Sequence, residues 1–214
     1  MKLTIAVPCY NEARRLRLPD FSKFLAARDT RLLFVDDGST DETVPVLRRF
    51  CLEHGELASL ILLPHNCGKA EAVRQGVLAA AADSDCVGYW DADLATPLEA
   101  AAEFRGVLER RPQVQVVWGA RLSMLGREIR RRPIRKVLGK VFSMASALTV
   151  AIPIHDALCG AKLFRTGPLL VDLFGEPFYS RWIFDVEILA RLRALVPRND
   201  AQLINSVLFE QPLD

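Results

Sequence analysis

The chain has few cysteines, and they form no pattern. Five are scattered over 214 residues, at Cys9, Cys51, Cys67, Cys86 and Cys159. The number is odd and no Cys-x-x-Cys pair occurs, so neither a zinc site of paired cysteines nor a disulfide framework is indicated, and a reducing compartment follows. Long hydrophobic runs are also missing: none reaches the roughly 18 residues that span a bilayer. The longest, Met144 to Ile154, is broken by Ser146, Thr149 and Pro153. A strand-like run opens the chain with no signal peptide before it. The expectation is therefore a cytoplasmic protein whose membrane contact is peripheral, on the inner face. Neither Gly-x-x-x-x-Gly-Lys-Ser/Thr nor Gly-x-Gly-x-x-Gly occurs, which counts against a P-loop ATPase and a dinucleotide-dependent dehydrogenase. No Ser/His/Asp or Cys/His arrangement stands out. The net charge of +2 excludes a polyelectrolyte role for the whole chain, and no internal repeat or low-complexity linker divides it.

What is present is a hydrophobic content of 50%, enough for one domain with a substantial core. The first half alternates between two periods. Leu3 to Val7, Leu32 to Val35, Ser59 to Leu63, Cys86 to Trp90 and Val114 to Trp118 read as buried strands. Phe21 to Ala27, Asp41 to His54, Lys69 to Ala82 and Pro97 to Arg110 read as helices. Thr40 or Asp41 is placed to cap the second helix and Thr96 the fourth, with Pro97 in its first turn. Such alternation predicts a mostly parallel sheet with helices on both faces. After Arg121 the pattern becomes basic and less regular. A strand near Leu158 to Phe164, a helix from Phe184 to Ala194 and a strand from Gln202 to Phe209 then close the chain. The division expected within a single domain is 1–120 and 121–214.

The most informative stretch is Val87-Gly88-Tyr89-Trp90-Asp91-Ala92-Asp93, an apolar run that feeds into two carboxylates. In an extended segment residues i and i+2 share a face, so Asp91 and Asp93 are expected to project together at a strand end, where open α/β sheets place ligands. Two hard oxygen ligands suit Mg²⁺ or Mn²⁺, which completes its shell with water and phosphate oxygens. The first two strands also end in polar clusters, Pro8-Cys9-Tyr10-Asn11-Glu12 and Asp36-Asp37-Gly38-Ser39-Thr40-Asp41. A carboxylate of Asp36 or Asp37 at such an end is placed to take a ribose hydroxyl or a base edge; the plainer alternative is a turn with a helix cap. In His65-Asn66-Cys67-Gly68-Lys69, a glycine and a lysine open a helix, an arrangement suited to an anion, against the alternative of a surface lysine. Arg74 falls five residues on and shares that face poorly.

The basic segment holds Arg121, Arg127, Arg130, Arg131, Arg132, Arg135, Lys136 and Lys140 against Glu128 alone. It suits phosphates or anionic head groups. Ile134, Val137, Leu138, Val141, Phe142 and Ala145 then form an apolar helical stripe, fitting a membrane interface or ordinary packing on the core. No aromatic platform accompanies the charges, so nucleic acid is not an expected partner. Asp156 and Asp185 are competing candidates for a general base. His155 and Cys159 read as structural.

In this order the clusters resemble the family-2 inverting glycosyltransferases of the GT-A fold, a Rossmann-like α/β architecture. Within them they are most similar to the dolichyl-phosphate or polyprenyl-phosphate β-glucosyltransferases. The carrying segments are Val7 to Glu12 with Arg15-Leu16, Val35 to Asp41, Asn66 to Lys69 with Ala72 to Gly76, and Asp91 to Asp93 with Ala95-Thr96. They continue with Gly119-Ala120-Arg121, Asp156 with Cys159-Gly160 and Lys162 to Phe164, and Arg181-Trp182 with Phe184 to Glu187.

The resemblance implies that Pro8, Tyr10, Glu12 and Asp37, with Asp36 beside them, line a uridine site. It implies that Lys69, Asp91, Ala92 and Asp93 form the donor diphosphate and metal site. Arg121, Arg130, Arg131 and Arg132 would receive the acceptor phosphate. The implied activity is metal-dependent transfer of a hexose, glucose first, from a UDP-sugar to a polyprenyl phosphate at an anionic membrane. A phosphate monoester is already anionic near neutral pH, so Asp156 would orient rather than deprotonate it. Thr96 fits the glucosyl branch better than the mannosyl one. Leu158 and Ala161 stand where the family often has Gln and Phe, which bears on sugar and acceptor identity and leaves three alternatives. These are a different donor such as GDP-mannose, a soluble acceptor, or a degenerate protein that binds nucleotide sugar without turnover. A nucleotidyltransferase would instead open on a Gly-rich anion loop.

Overall fold

The computed structural model describes residues 1–27, 29–121, 152, 154–197 and 201–213. The chain forms strands β1 (Leu3–Cys9), β2 (Thr30–Asp36), β3 (Ala58–Leu62), β4 (Cys86–Trp90), β5 (Val116–Ala120), β6 (Ala161–Arg165) and β7 (Leu208–Pro212). They form one seven-stranded sheet in the order β3-β2-β1-β4-β6-β5-β7. Pairing is parallel except for β6, which runs antiparallel to both β4 and β5. The sheet is mostly parallel, as the alternation predicts. Because β6 sits between β4 and β5, the second half of the sequence supplies an interior strand.

Helices α1 (Leu18–Leu25), α2 (Thr43–His54), α3 (Lys69–Ala81), α4 (Ala100–Arg110), α5 (Pro168–Phe174), α6 (Phe184–Leu195) and α7 (Ala201–Val207) accompany the strands. Strand alternation sends Leu3, Ile5, Val7, Leu32 and Phe34 into one core with Phe21, Phe50 and Phe104 of α1, α2 and α4. It sends Ala6, Leu33, Val35, Val87 and Tyr89 into a second core with Val73, Leu170 and Ile188 of α3, α5 and α6. In the first, the rings of Phe21, Phe34 and Phe50 meet edge to face at centroid separations of 5.2 to 6.4 Å. Full burial of each such side chain contributes about 1.5–3 kcal/mol. In the second, a Cβ on Gly76 would lie 2.9 Å from that of Ala6. Only glycine lets α3 pack so close to β1, which brings the start of α3 to the sheet edge where the strands end.

Several local expectations differ from the structure. Gln202 to Phe209 is not one strand: α7 runs to Val207 and only Leu208 onward pairs with β5. Leu203, Ile204, Val207 and Leu208 have helical spacing, and one turn buries Ile204 while Leu203 stays exposed. The strand expected from Leu158 starts only at Ala161, after a turn in which Cys159 N–H donates to the Asp156 carbonyl. Thr96 does not cap α4. It is buried, its carbonyl accepts the Trp90 indole N–H, and Pro97 to Glu99 form a tight turn before the helix begins at Ala100. Finally, α5 follows Gly167 and Pro168 in a stretch with no helix expected.

Candidate functional site

Since β1 pairs in parallel with both β2 and β4, the loops that follow these strands gather at one edge, the place where open parallel sheets bind ligands. Asp36 ends β2 and is 2% exposed; its Oδ2 accepts the Ser39 N–H at 2.9 Å, while its Oδ1 is buried without a partner among the described residues. The neighbouring Asp37 turns the other way. Its two oxygens accept the amides of Cys67 at 2.7 Å and Gly68 at 2.9 Å, so it braces the loop that leads into α3. Burial raises the Asp37 carboxyl above its ordinary range, against the downward pull of those two amides and of Arg181. Gly38, at φ +71°, lets the two loops touch, because a Cβ there would fall 2.6 Å from the His65 carbonyl carbon.

After β1, Pro8 is buried within the strand and Tyr10 is 40% exposed at its end. Asn11 adopts a left-handed φ of +54° and its Oδ1 accepts the Thr40 amide at 2.8 Å. Asp41, rather than Thr40, closes the start of α2 by accepting the Thr43 N–H at 2.9 Å. Glu12 reaches Arg15 at 2.6 Å through Oε1, while Oε2 is buried and unpartnered among the described residues. Burial raises the Glu12 carboxyl; Arg15 opposes the rise, and the charges of Asp93 and Asp41 add to it. The loops after β1 and β4 therefore sense each other electrostatically.

β4 ends at Trp90, and Asp91 to Leu94 make a turn closed by the Leu94 N–H on the Asp91 carbonyl at 3.0 Å. This differs from the extended segment expected of Asp91 and Asp93. Leu94 carries the strain at φ +49°. Ala92 is buried in the core, Asp93 is exposed, and Asp93 Oδ1 accepts the Ala95 N–H at 3.0 Å. Asp91 Oδ1 accepts Lys69 Nζ at 2.5 Å. Burial would lower the Lys69 ammonium, but the bond and charge of Asp91, with smaller contributions from Asp185 and Asp93, carry it above its usual value. Lys69 thus bears on both acidic residues from the first turn of α3. Arg74 is turned away, held by Glu71 and by the carbonyls of Phe174 and Gly175.

The base candidates stand in different settings. Asp156 is gripped by Arg121 in a bidentate pair, Nε to Oδ2 at 2.6 Å and Nη2 to Oδ1 at 3.0 Å. Burial would raise its carboxyl, but Arg121 outweighs burial and holds it below the usual range. Asp185, in the first turn of α6, is 6% exposed; its Oδ1 accepts from both Tyr89 Oη and Lys162 Nζ at 2.5 Å. His155 Nδ1 lies 2.6 Å from Glu210 Oε2, which ties this loop to β7. Cys159 is fully buried. Arg130, Arg131, Arg132 and the apolar stripe after them lie outside the described residues.

Two residues that the sequence reading left without a role meet this site. Arg181 donates to the carbonyls of Asn66 and Cys67 at 2.8 and 3.1 Å, clamping the loop before Lys69. Lys162 supports Asp185; the signal for it was a lone lysine among the apolar residues of β6.

No three His, Cys, Asp or Glu side chains gather into a metal cage among the described residues. The donor set, Asp91 and exposed Asp93, instead fits a hard cation that takes part of its shell from water and phosphate oxygens. Among the described residues no helix is long and apolar enough to cross a membrane.

A family model described as glycosyl transferase family 2 matches residues 4–170. Dolichyl-phosphate beta-glucosyltransferase ALG5C of Trichomonas vaginalis is 31% identical over 199 residues, covering 87% of this chain and 58% of that protein. The human dolichyl-phosphate beta-glucosyltransferase is 30% identical over 203 residues, covering 88% and 62%. The chain thus spans about 60% of the length of the curated relatives it matches. Among solved structures, glucosyl-3-phosphoglycerate synthase from Mycobacterium tuberculosis, in complex with Mn²⁺, UDP and glucosyl-3-phosphoglycerate, superposes with a TM-score of 0.70. The identity is 19%, over 99% of this chain and 70% of that one. The sheet and its flanking helices are a GT-A fold.

Proposed function

This chain belongs to glycosyl transferase family 2, and from that premise we propose that it transfers a hexose, glucose first, from a UDP-sugar to a polyprenyl phosphate with inversion. One observation carries the reading: Asp91, Asp93, the Lys69 ammonium and the unpartnered oxygens of Glu12 and Asp36 converge on one sheet edge. Anionic diphosphate needs the cation; a nucleoside needs free acceptors for its N–H and O–H groups. The matched relatives carry dolichyl-phosphate beta-glucosyltransferase in their names, and the M. tuberculosis synthase binds UDP with Mn²⁺.

In this reading residues 1–120 take the donor and 121–214 the acceptor. Pro8 and Tyr10 flank the nucleoside, and Glu12 and Asp36 accept its hydrogens. Asp37 holds the Cys67–Gly68 amides so that Lys69 faces the diphosphate. Asp91 and Asp93 hold Mg²⁺ or Mn²⁺, with Ala92 packed beneath them. When bound, that cation stabilises the charge of the leaving diphosphate. Arg121, oriented by its two bonds to Asp156, receives the acceptor phosphate together with Arg130, Arg131 and Arg132, and these arginines meet an anionic membrane surface. Asp156, with both oxygens engaged by Arg121, is poorly set to take a proton. Asp185, whose Oδ1 accepts from Tyr89 and Lys162, is the competing candidate, although a phosphate monoester asks little of a base.

The test is transfer of label from UDP-glucose into an organic-extractable polyprenyl phosphate with Mg²⁺ or Mn²⁺. Metal-dependent label in the organic phase, reduced at least about a hundredfold in Asp93→Asn, a loss typical of removing one stabilising group, supports the proposal. Label from GDP-mannose but not UDP-glucose, or label only in soluble acceptors, overturns the donor or acceptor assignment. UDP binding with no transfer to any acceptor indicates a degenerate protein.

A further inference from the structure

Lys162 is fully buried, a place lysine almost never takes unless it is paired. Strand register explains its surroundings. Lys162 stands opposite Tyr89 in the β4–β6 ladder and opposite Trp118 in the β5–β6 ladder, so the three side chains share one face of the sheet. Its Nζ lies 4.3 Å from the centroid of the Trp118 ring and 5.1 Å from that of Tyr89. Two acceptors complete the setting: Asp185 Oδ1 at 2.5 Å, and the carbonyl oxygen of Cys159. Two acceptors and two ring faces thus surround the ammonium.

The Cys159 contact leads to the site. The next carbonyl, that of Gly160, accepts the Asp91 amide at 3.1 Å. Gly160 also lies flush against the Asp91 side chain: a Cβ built on it would overlap Asp91 Oδ2 and stand 2.9 Å from Oδ1. The height of the Cys159–Gly160 turn above the sheet therefore fixes where Asp91 sits. A lysine needed only to neutralise Asp185 would be dispensable together with it, because exchanging a buried ion pair for neutral groups of similar volume is often harmless. A lysine that also holds the Cys159 carbonyl would not be.

We propose that Lys162 is a positioning residue: through the Cys159 carbonyl it sets the Cys159–Gly160 turn and so holds Asp91 in place at the sheet edge. The consequence for donor binding rests on the function proposed above; the geometric statement does not. Three variants test it by amide hydrogen exchange: Lys162→Met, Lys162→Met/Asp185→Asn, and Tyr89→Phe. The single lysine variant leaves a buried carboxylate without its cation and is expected to lose thermal stability. The double variant restores neutrality and keeps the wild-type melting temperature to within a few degrees. Its Asp91 and Leu94 amides exchange at least about tenfold faster than in wild type, while those of β1 and β2 keep their rates, a local opening rather than global unfolding. Tyr89→Phe removes only a hydroxyl from Asp185 and leaves Asp91 exchange unchanged.

Wild-type exchange at Asp91 in the double variant overturns the proposal. So does Tyr89→Phe raising that exchange as much as loss of the lysine, which would route the effect through Asp185. Mn²⁺-dependent UDP affinity is measured alongside and is expected to fall about tenfold in the double variant. Wild-type protein that binds no UDP counts against the proposed function alone, with the exchange result standing on its own.

Discussion

Gly160→Ala is the perturbation that bears most directly on Asp91, because the added methyl meets its carboxylate. A Cβ at this position overlaps Oδ2 and approaches Oδ1 to 2.9 Å. Asp91 cannot retreat freely, since its amide is bonded to the Gly160 carbonyl and its Oδ1 to Lys69. Either the turn lifts or the carboxylate rotates off Lys69. Overpacking of this kind costs about 1–3 kcal/mol, which for a domain of this size lowers the melting temperature by about 2–12 °C. The loss of Lys69–Asp91 geometry should weaken Mn²⁺-dependent UDP binding about tenfold or more, a change of at least about 1.4 kcal/mol. Gly167→Ala serves as the control: a Cβ there meets nothing within 4 Å, so the change should stay within about 0.5 kcal/mol. Calorimetric unfolding and UDP titration read both. Gly160→Ala with wild-type melting temperature and affinity would refute the claim that this glycine seats Asp91.

Other perturbations test the charges. Burial raises the Glu12 carboxyl above its ordinary 4.5, so the folded protein holds the proton longer and loses stability as pH rises through the folded value. Glu12→Gln should melt higher than wild type at pH 7, the gap closing below pH 4.5 in a thermal series; a gap that widens on acidification contradicts the assignment. Arg121 depresses the Asp156 carboxyl below 3.8, so this pair's stability is present at neutral pH and is lost as pH falls through the lower folded value. Arg121→Gln should cost about 2 kcal/mol at pH 7 and progressively less in acid, measured by denaturant unfolding; a pH-independent loss would mean packing rather than charge. Mn²⁺ with UDP at about a hundredfold excess over their dissociation constant should stabilise the fold by about 2.7 kcal/mol. No thermal shift, or the same shift in Asp93→Asn, would remove Asp93 from the site.

The fold was legible where burial follows a simple period. β4 is legible to the residue, and β1 and β2 to within two residues at either end, because these strands are covered on both faces and their apolar runs are nearly continuous; β3, a partly buried edge strand, is legible to within one residue. The end of the chain was not, because Leu203, Ile204, Val207 and Leu208 fit either a helical turn or part of a strand, and only pairing of Leu208 to Pro212 with β5 decides. β6 was misjudged at its start because Asp156 and Cys159 belong to a turn held by Arg121 and Lys162, contacts 35 residues back and three residues on. No local window contains the first of these.

The adjacent carboxylates of Asp36 and Asp37 show why a motif can be found in sequence without its division of labour. Read as a string, the two residues are equivalent acids beside a glycine. At a strand's end they cannot be equivalent, because successive side chains leave on opposite sides. Asp36 stays under the loop after β2 with one oxygen unpartnered, while Asp37 crosses to the loop before α3 and has both oxygens filled by amides. In the function proposed above, the residue with the unpartnered acceptor takes the nucleoside, and the residue whose oxygens both hold amides shapes the lysine's approach. Which of the two takes which part depends on the β1–β2 register and on Gly38 admitting the His65 backbone. The chemistry of such an acidic pair is written in the chain, but its allocation is written in the packing of the neighbouring loop.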